Sequence, residues 1–273
     1  MTSPATDPMT ATVGRLRAVG CVFAEDEARL LLSAARTPDE LVAMTSRRVA
    51  GEPLEVILGW AEFCGLRVAV EPGVFVPRQR TAYLVEQAVA LTRPGAVVVD
   101  LCCGTGAIGA AIAARVPGVE LYAADIEPAA VRCARRNLEP LGGRTFAGDL
   151  YDALPGELRG RVDVLLVNAP YVPTDEIAML PPEARDHEPL VALEGGPDGV
   201  GVHRRVAEDA SRWLAPGGHL LIETGEQQAT LTAAAVSDHG LRPRVVTSEE
   251  LYCTVVIGTL PAQVAPGLDD AGP

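Results

Sequence analysis

The alternation of strand-like and helix-like segments after residue 80 constrains the fold of this chain most strongly. The pattern predicts helices at 81–92, 107–115, 128–138, 200–214 and 226–238, and strands at 96–100, 119–124, 144–147, 162–167, 219–223, 242–247 and 252–258. Such alternation indicates an α/β fold, with a mostly parallel sheet covered on both faces. Only "TSEEL" joins the last two strands, which is too short for a crossover. They therefore predict a hairpin with an antiparallel strand near the sheet's edge.

The residues before this region predict a different organisation. Residues 13–58 carry helical spacing, and "TPDE" at 37–40 resembles a capped helix start, so two or three helices are expected. Residues 59–80 alternate and turn twice, which predicts a β-hairpin linker before a main domain at 81–260. Residues 1–12 and 261–273 are predicted to be disordered tails.

Composition excludes several classes of protein. The chain has 273 residues and a net charge of −13, and its 23 basic residues are all arginine. The missing lysine rules out a P-loop and a pyridoxal Schiff base, and the acidic balance disfavours a nucleic-acid partner. No CxxC or HExxH pattern, secretory signal or apolar run of about 18 residues occurs. We expect no metal and no membrane span, and a cytoplasmic protein with reduced thiols.

The segment "VVVDLCCGTGAIG" at 97–109 follows the first sheet strand and opens a helix. Its glycines satisfy GxGxxG, and Asp125 ends the next strand, which also fits a dinucleotide site or a tight turn. Two details favour another cofactor. Asp100, just before the loop, suits a cationic ligand better than a pyrophosphate, and Asp149 follows the third strand, where a carboxylate can meet an adenine amine. This arrangement looks like the S-adenosylmethionine site of class I methyltransferases.

The tetrapeptide Asn-Ala-Pro-Tyr at 168–171 ends the fourth predicted strand, at the sheet edge where ligands bind in α/β proteins. It resembles the Asn-Pro-Pro-Tyr motif of methyltransferases that act on a planar nitrogen. The Asn168 side-chain oxygen and the Ala169 carbonyl would hold the two N–H groups of a poorly nucleophilic NH₂. Tyr171 would pack against the planar group, and Pro170 would stiffen the loop. These four residues are the predicted catalytic and substrate-binding residues.

Further landmarks resemble the HemK-type protein-(glutamine-N5) methyltransferases, which modify the Gly-Gly-Gln loop of peptide-chain release factors. They are residues 47–78, "HEPLVALEGGPDGVGVHRRV" and "LLIETGEQQ". The resemblance implies a seven-stranded class I fold, a release factor as protein partner and helices before the linker that dock it; a monomer is favoured. The predicted S-adenosylmethionine contacts are Asp100, Cys102, Cys103, Gly104, Thr105, Gly106, Asp125, Ile126, Asp149, Leu150 and Asn168.

Three departures from that family suggest a divergent branch. Ala169 replaces a proline, Cys102 and Cys103 replace glycine and a small residue, and Arg80 in "PRQRT" replaces a glutamate. A position that requires a positive φ would be strained by Cys102. Arg80 and Ala169 therefore keep a small-molecule amide or amine open as the methyl acceptor. The N6 of adenine in nucleic acid is a second alternative, because adenine-N6 methyltransferases use the same tetrapeptide, and a protein that binds the cofactor without catalysis is a third. His187 and Glu188 are interpreted as surface loop residues, with a place in the cleft lining as the alternative. Glu223 is interpreted as a structural support that would hold the motif loop.

Overall fold

The computed structural model describes residues 7–262, so residues 1–6 and 263–273 of the predicted tails lie outside the described residues. The prediction of a disordered tail through residue 12 is wrong for residues 8–12, because helix α1 (Pro8–Ala18) begins there. The Asp7 side chain accepts a hydrogen bond from the Thr10 N–H at 3.1 Å, and Pro8 occupies the first turn. Both features stabilise a helix start.

Within residues 7–58, four helices precede the linker, rather than the expected two or three. They are α1, α2 (Ala24–Ala34), α3 (Pro38–Val49) and α4 (Leu54–Leu58). The additional helix, α4, has five residues and ends at Gly59, whose φ is +78°, so it is too short to show helical periodicity. The four helices share one apolar core, made of Leu16, Ala24, Ala28, Leu31, Met44 and Ile57.

The hairpin predicted in the linker is confirmed. Strands β1 (Trp60–Phe63) and β2 (Leu66–Ala69) pair antiparallel around a turn at Cys64 and Gly65.

The main region is a seven-stranded sheet covered by helices, as the alternation predicted. Its strands are β3 (Val97–Leu101), β4 (Glu120–Asp125), β5 (Arg144–Ala147), β6 (Val162–Val167), β7 (Leu214–Thr224), β8 (Arg242–Ser248) and β9 (Cys253–Thr259). Its helices are α5 (Ala82–Leu91), α6 (Ala107–Arg115), α7 (Pro128–Leu138), α9 (Gly201–Trp213) and α10 (Ala229–Asp238). The strand order is β5-β4-β3-β6-β7-β9-β8, with β9 antiparallel to both neighbours. The predicted terminal hairpin is confirmed.

Residues 168–198 are less irregular than predicted. They contain α8 (Pro182–His187) and two short 3₁₀ segments, at Thr174–Met179 and Leu190–Ala192. The short α8 follows Pro181 and carries no buried residue, so it lacks the apolar periodicity by which a helix is recognised in a sequence. Within residues 7–262, no helix is both long and apolar enough to cross a membrane.

Candidate active site

A cavity of about 420 Å³ lies at the carboxyl ends of β3, β4 and β6. Ten of the predicted site residues line it: Cys102, Cys103, Gly104, Thr105, Asp125, Ile126, Asn168, Ala169, Pro170 and Tyr171. The fold therefore brings the glycine loop and the tetrapeptide, more than 60 residues apart in sequence, to the same cavity. Residues of the 168–198 segment, including Leu180 and Leu193, line it as well.

The glycine loop adopts the left-handed backbone that its sequence suggests. Gly104 and Gly106 have φ values of +54° and +76°. A side chain at Gly106 would also place its Cβ 3.0 Å from Leu138, so the Leu138 side chain would have to shift to make room. Cys102 has a φ of +54°, which confirms that this position demands a conformation disfavoured for residues with a side chain.

Asp125 holds the loop in place. Its Oδ2 accepts a hydrogen bond from the Gly104 N–H at 2.9 Å, and its Oδ1 accepts one from the Glu127 N–H at 2.9 Å. Burial raises the pKa of Asp125, and these two N–H donors oppose that rise. A carboxylate has about four lone-pair sites, so Asp125 can still accept hydrogen bonds from a ligand in the cavity.

Asp100 lies beneath the loop and is not among the residues that line the cavity. It is fully buried, and its Oδ2 accepts a hydrogen bond from the Gly109 N–H at 3.0 Å. Its Oδ1 has no partner within the described residues. Burial raises the pKa of Asp100 to about 8, so the carboxyl is largely neutral at pH 7. Asp100 has no exposed surface and is not part of the cavity lining, so its contact with the cofactor stays a prediction.

Three other predicted cofactor residues, Gly106, Asp149 and Leu150, also lie outside the cavity lining. Asp149 forms an ion pair with Arg205 at 2.7 Å on the surface. Leu150 follows it with a φ of +48°.

The tetrapeptide is fixed by polar contacts from distant elements. The Asn168 Nδ2 donates a hydrogen bond to Thr81 Oγ1 at 3.3 Å. The Arg80 Nη2 donates to the Tyr171 hydroxyl at 2.7 Å, and this hydroxyl lies 3.3 Å from Glu223 Oε1. Sequence reasoning identified Arg80 as a change of charge and Glu223 as a structural support for the motif loop; it gave Thr81 no role at all.

The "GGPDG" segment, residues 195–199, packs against the backbone of Tyr171. A Cβ built on Gly199 would lie 2.4 Å from the Tyr171 carbonyl oxygen, and one on Gly195 would lie 2.7 Å from its Cα. The Gly195 N–H donates to the Val172 carbonyl at 2.8 Å. The glycines therefore allow the two segments to pair closely.

Glu188 corrects a prediction, because it is buried rather than exposed. Both its carboxyl oxygens lie 2.7 Å from Arg78 Nη2, and Oε1 also accepts a hydrogen bond from the Val76 N–H at 3.3 Å. Glu188 therefore connects the 168–198 segment to the linker at residues 59–80. His187 is exposed, as predicted.

A family model described as "Methyltransferase small domain" matches residues 65–179. The release factor glutamine methyltransferase of Mycolicibacterium smegmatis is 40% identical over 228 residues, covering 78% of this chain and 79% of the relative. The protein of that name from Geobacter sulfurreducens is 38% identical, covering 74% and 72%. A 4-amino-L-phenylalanine/4-methylamino-L-phenylalanine methyltransferase of Streptomyces pristinaespiralis is 41% identical, covering 67% and 64%.

Among solved structures, a methyltransferase from Pyrococcus furiosus superimposes with a TM-score of 0.55 at 18% identity, covering 72% of this chain and 90% of that one. This likeness confirms the predicted class I methyltransferase fold. The similarity to the two glutamine methyltransferases extends over most of both chains. The chain therefore belongs to the release factor glutamine methyltransferase family of S-adenosylmethionine-dependent methyltransferases.

Proposed function

We propose that this chain transfers a methyl group from S-adenosylmethionine to the side-chain N5 of a glutamine in a peptide-chain release factor. The observation that carries this proposal is the position of Asn168 and Ala169 in the same cavity as the glycine loop. Relatives named for that reaction cover most of the chain. The net charge of −13 also favours a protein partner over nucleic acid.

The residues around the cavity fit this cofactor. Glycine at 104 lets the backbone approach a ligand closely, and Asp125 would offer carboxylate lone pairs to the ribose hydroxyls. Asp149 and Leu150 would border the adenine, and Cys102 to Gly106 the methionine part. When bound, S-adenosylmethionine supplies an electrophilic methyl group on a sulfonium sulfur.

Asn168 and Ala169 would position the acceptor. The lone pair of an amide NH₂ is delocalised, so correct orientation contributes most of what the protein can supply. The Asn168 Oδ1 and the Ala169 carbonyl would each accept one N–H of this group. With the cofactor bound, the N–CH₃ bond would form as the S–CH₃ bond breaks, S-adenosylhomocysteine would be the leaving group, and the nitrogen would release its proton to water.

Labelled S-adenosylmethionine and a purified release factor test the proposal. We expect one methyl group on the loop glutamine, located by mass spectrometry, and none on a release factor with that glutamine replaced by alanine. Asn168→Ala should lower turnover at least about a hundredfold, with the dissociation constant of S-adenosylmethionine changed less than about threefold. Asp125→Ala should raise that constant at least about tenfold. Full turnover by Asn168→Ala would contradict the assigned role.

A primary arylamine is the second candidate acceptor. Ala169 and Arg80 depart from the family's motifs, and the relative from Streptomyces pristinaespiralis is named for an amino-phenylalanine substrate. The same labelled assay with 4-amino-L-phenylalanine separates the two candidates. Label on the small molecule and none on the release factor would favour the arylamine.

We also propose that the chain acts as a monomer in the cytoplasm. All six cysteines are free, which is typical of proteins kept in a reducing compartment. Light scattering of the purified protein tests the monomer.

A further inference from the structure

A path of polar side chains leads from the acceptor loop to a buried glutamate. The Asn168 Nδ2 donates to Thr81 Oγ1 at 3.3 Å, and the Thr81 hydroxyl faces the Glu223 carboxyl, whose pKa it lowers. Thr81 is 2% exposed and Glu223 1% exposed. Both side chains are therefore largely shielded from bulk solvent, and the protein groups around them set most of their hydrogen bonding.

The direction of the hydrogen bonds along this path determines which end of the Asn168 amide, the oxygen or the NH₂, points toward the cavity. When Glu223 is ionised, its carboxylate only accepts hydrogen bonds, so a Thr81 hydroxyl turned toward it donates and presents its lone pairs to Asn168. Only the NH₂ end of the Asn168 amide can donate to those lone pairs. The amide oxygen is then left to accept from a ligand in the cavity that Asn168 lines.

We propose that Thr81 and Glu223 are positioning residues for methyl transfer, which together hold the Asn168 carbonyl oxygen toward the acceptor NH₂. The inference rests on the proposed function, because that function assigns the acceptor to Asn168. If the Asn168 amide were reversed, its NH₂ would point at the NH₂ of the methyl acceptor, and neither group could accept a hydrogen bond from the other. Oε2 of Glu223 has no partner in normal hydrogen-bond geometry among residues 7–262, and such contacts commonly tighten when substrate binds.

Arg80 favours the ionised form of Glu223, which this arrangement requires. Its Nε lies 3.4 Å from Glu223 Oε1, and the carboxyl also faces the Tyr171 hydroxyl and the Cys253 thiol. Burial raises the pKa of Glu223, and the Arg80 charge opposes that rise. A protonated Glu223 could donate to Thr81, and the preferred amide orientation would be lost.

Paired threonine variants test the inference through kcat. Thr81→Val removes the hydroxyl at nearly constant volume and should lower kcat about tenfold to a hundredfold, with the S-adenosylmethionine dissociation constant within about threefold of wild type. Thr81→Ser keeps the hydroxyl and should retain most of kcat. Thr45→Val is the control, since Thr45 is equally buried in the N-terminal helices. Wild-type kcat in Thr81→Val, or an equal loss in Thr81→Ser, would overturn the inference.

Two further measurements test the inference: the pH dependence of kcat and the hydrogen exchange of the Asn168 side chain. Arg80→Met removes the charge that opposes the rise in the Glu223 pKa, so it should move the acid limb of the pH profile of kcat to higher pH. An unmoved limb would refute the role of Arg80.

The side-chain NH₂ of Asn168 can be followed by NMR, with its resonance assigned by its loss in Asn168→Ala. Its protons should exchange with solvent at least about tenfold faster in Thr81→Val; unchanged exchange would overturn the inference. Because exchange needs no acceptor, it separates failure of this inference from failure of the proposed function.

Discussion

Asp100 shows how a single buried carboxyl links the glycine loop to the pH dependence of stability. Burial raises its pKa to about 8, whereas an unfolded aspartate titrates near about 4. Between these values the folded chain binds a proton that the unfolded chain does not. The contribution of Asp100 to the free energy of unfolding therefore falls as pH rises, by roughly 1 kcal/mol per pH unit.

Asp100→Asn should remove this dependence. Asparagine can still accept the Gly109 N–H through its oxygen but cannot ionise, so the variant should lose less stability than wild type between pH 5 and pH 8. Urea unfolding at several pH values measures the difference. Asp175→Asn, a change at an exposed site, is the control and should follow wild type. Parallel stability curves for Asp100→Asn and wild type would contradict the assignment.

Cys102 and Thr81 mark the limits of sequence reasoning at this scale. The loss of glycine at 102 predicted strain if the backbone needed a positive φ, and its φ of +54° confirms that need. Thr81 could not be identified, because its contact with Asn168 spans 87 residues. Nothing local in "PRQRT" indicates that partner.

At the scale of elements, sequence reasoning succeeded where burial imposes periodicity. The predicted bounds of α6, α7, β5 and β6 are those observed. Those of β8 differ by one residue at one end, and those of α5, β3, β4, α9 and β9 by one residue at each end. Strand β7 begins at Leu214 rather than 219, since Leu214 pairs with Val162 across an irregularity. Short or proline-rich helices such as α4 and α8 carry too few apolar positions for a pattern to show.

The pairing of the "GGPDG" segment with the acceptor loop predicts that a single methyl group would disturb Tyr171. A Cβ at Gly195 would lie 2.6 Å from the Gly199 carbonyl oxygen and 2.7 Å from the Tyr171 Cα, so the loop must shift. Displacements of about 1 Å can cost roughly a hundredfold in rate. We expect Gly195→Ala to lower kcat by at least about tenfold, measured in the labelled transfer assay.

Gly156→Ala is the matched control, because it adds the same methyl group where nothing lies within 4 Å, at a residue without a positive φ. Its kcat should equal that of wild type. A Gly195→Ala enzyme with wild-type kcat would show that the segment tolerates the shift without moving the acceptor loop.

In the whole molecule, the N-terminal helices approach the segment that covers the cavity. Arg48 on α3 forms an ion pair with Glu27 at 2.6 Å and lies 3.7 Å from Glu183 on α8. Glu183 also lines the cavity. A protein bound by the helices would therefore lie near the residues around the methyl-transfer site, which supports the proposal that these helices dock the protein acceptor.

The turn between α1 and α2 carries the apolar surface that such docking needs. Val19, Val22 and Phe23 are 53%, 83% and 68% exposed within five positions, and clustered apolar exposure commonly marks an interaction site. The double variant Val22→Ser/Phe23→Ser should raise KM for a whole release factor at least about fivefold, a typical loss for exposed anchor residues. It should leave KM for a short glutamine-loop peptide unchanged, since the peptide cannot reach the helices.

Val245→Ser, at a residue 46% exposed on the edge strand β8, is the control for loss of an exposed apolar side chain and should change neither KM. The comparison of two acceptors with one enzyme separates docking from catalysis, because both acceptors use the same cavity. Equal effects on both would place the defect in folding or in the transfer site. No effect on either would mean that the N-terminal helices bind the release factor through another surface, or do not bind it.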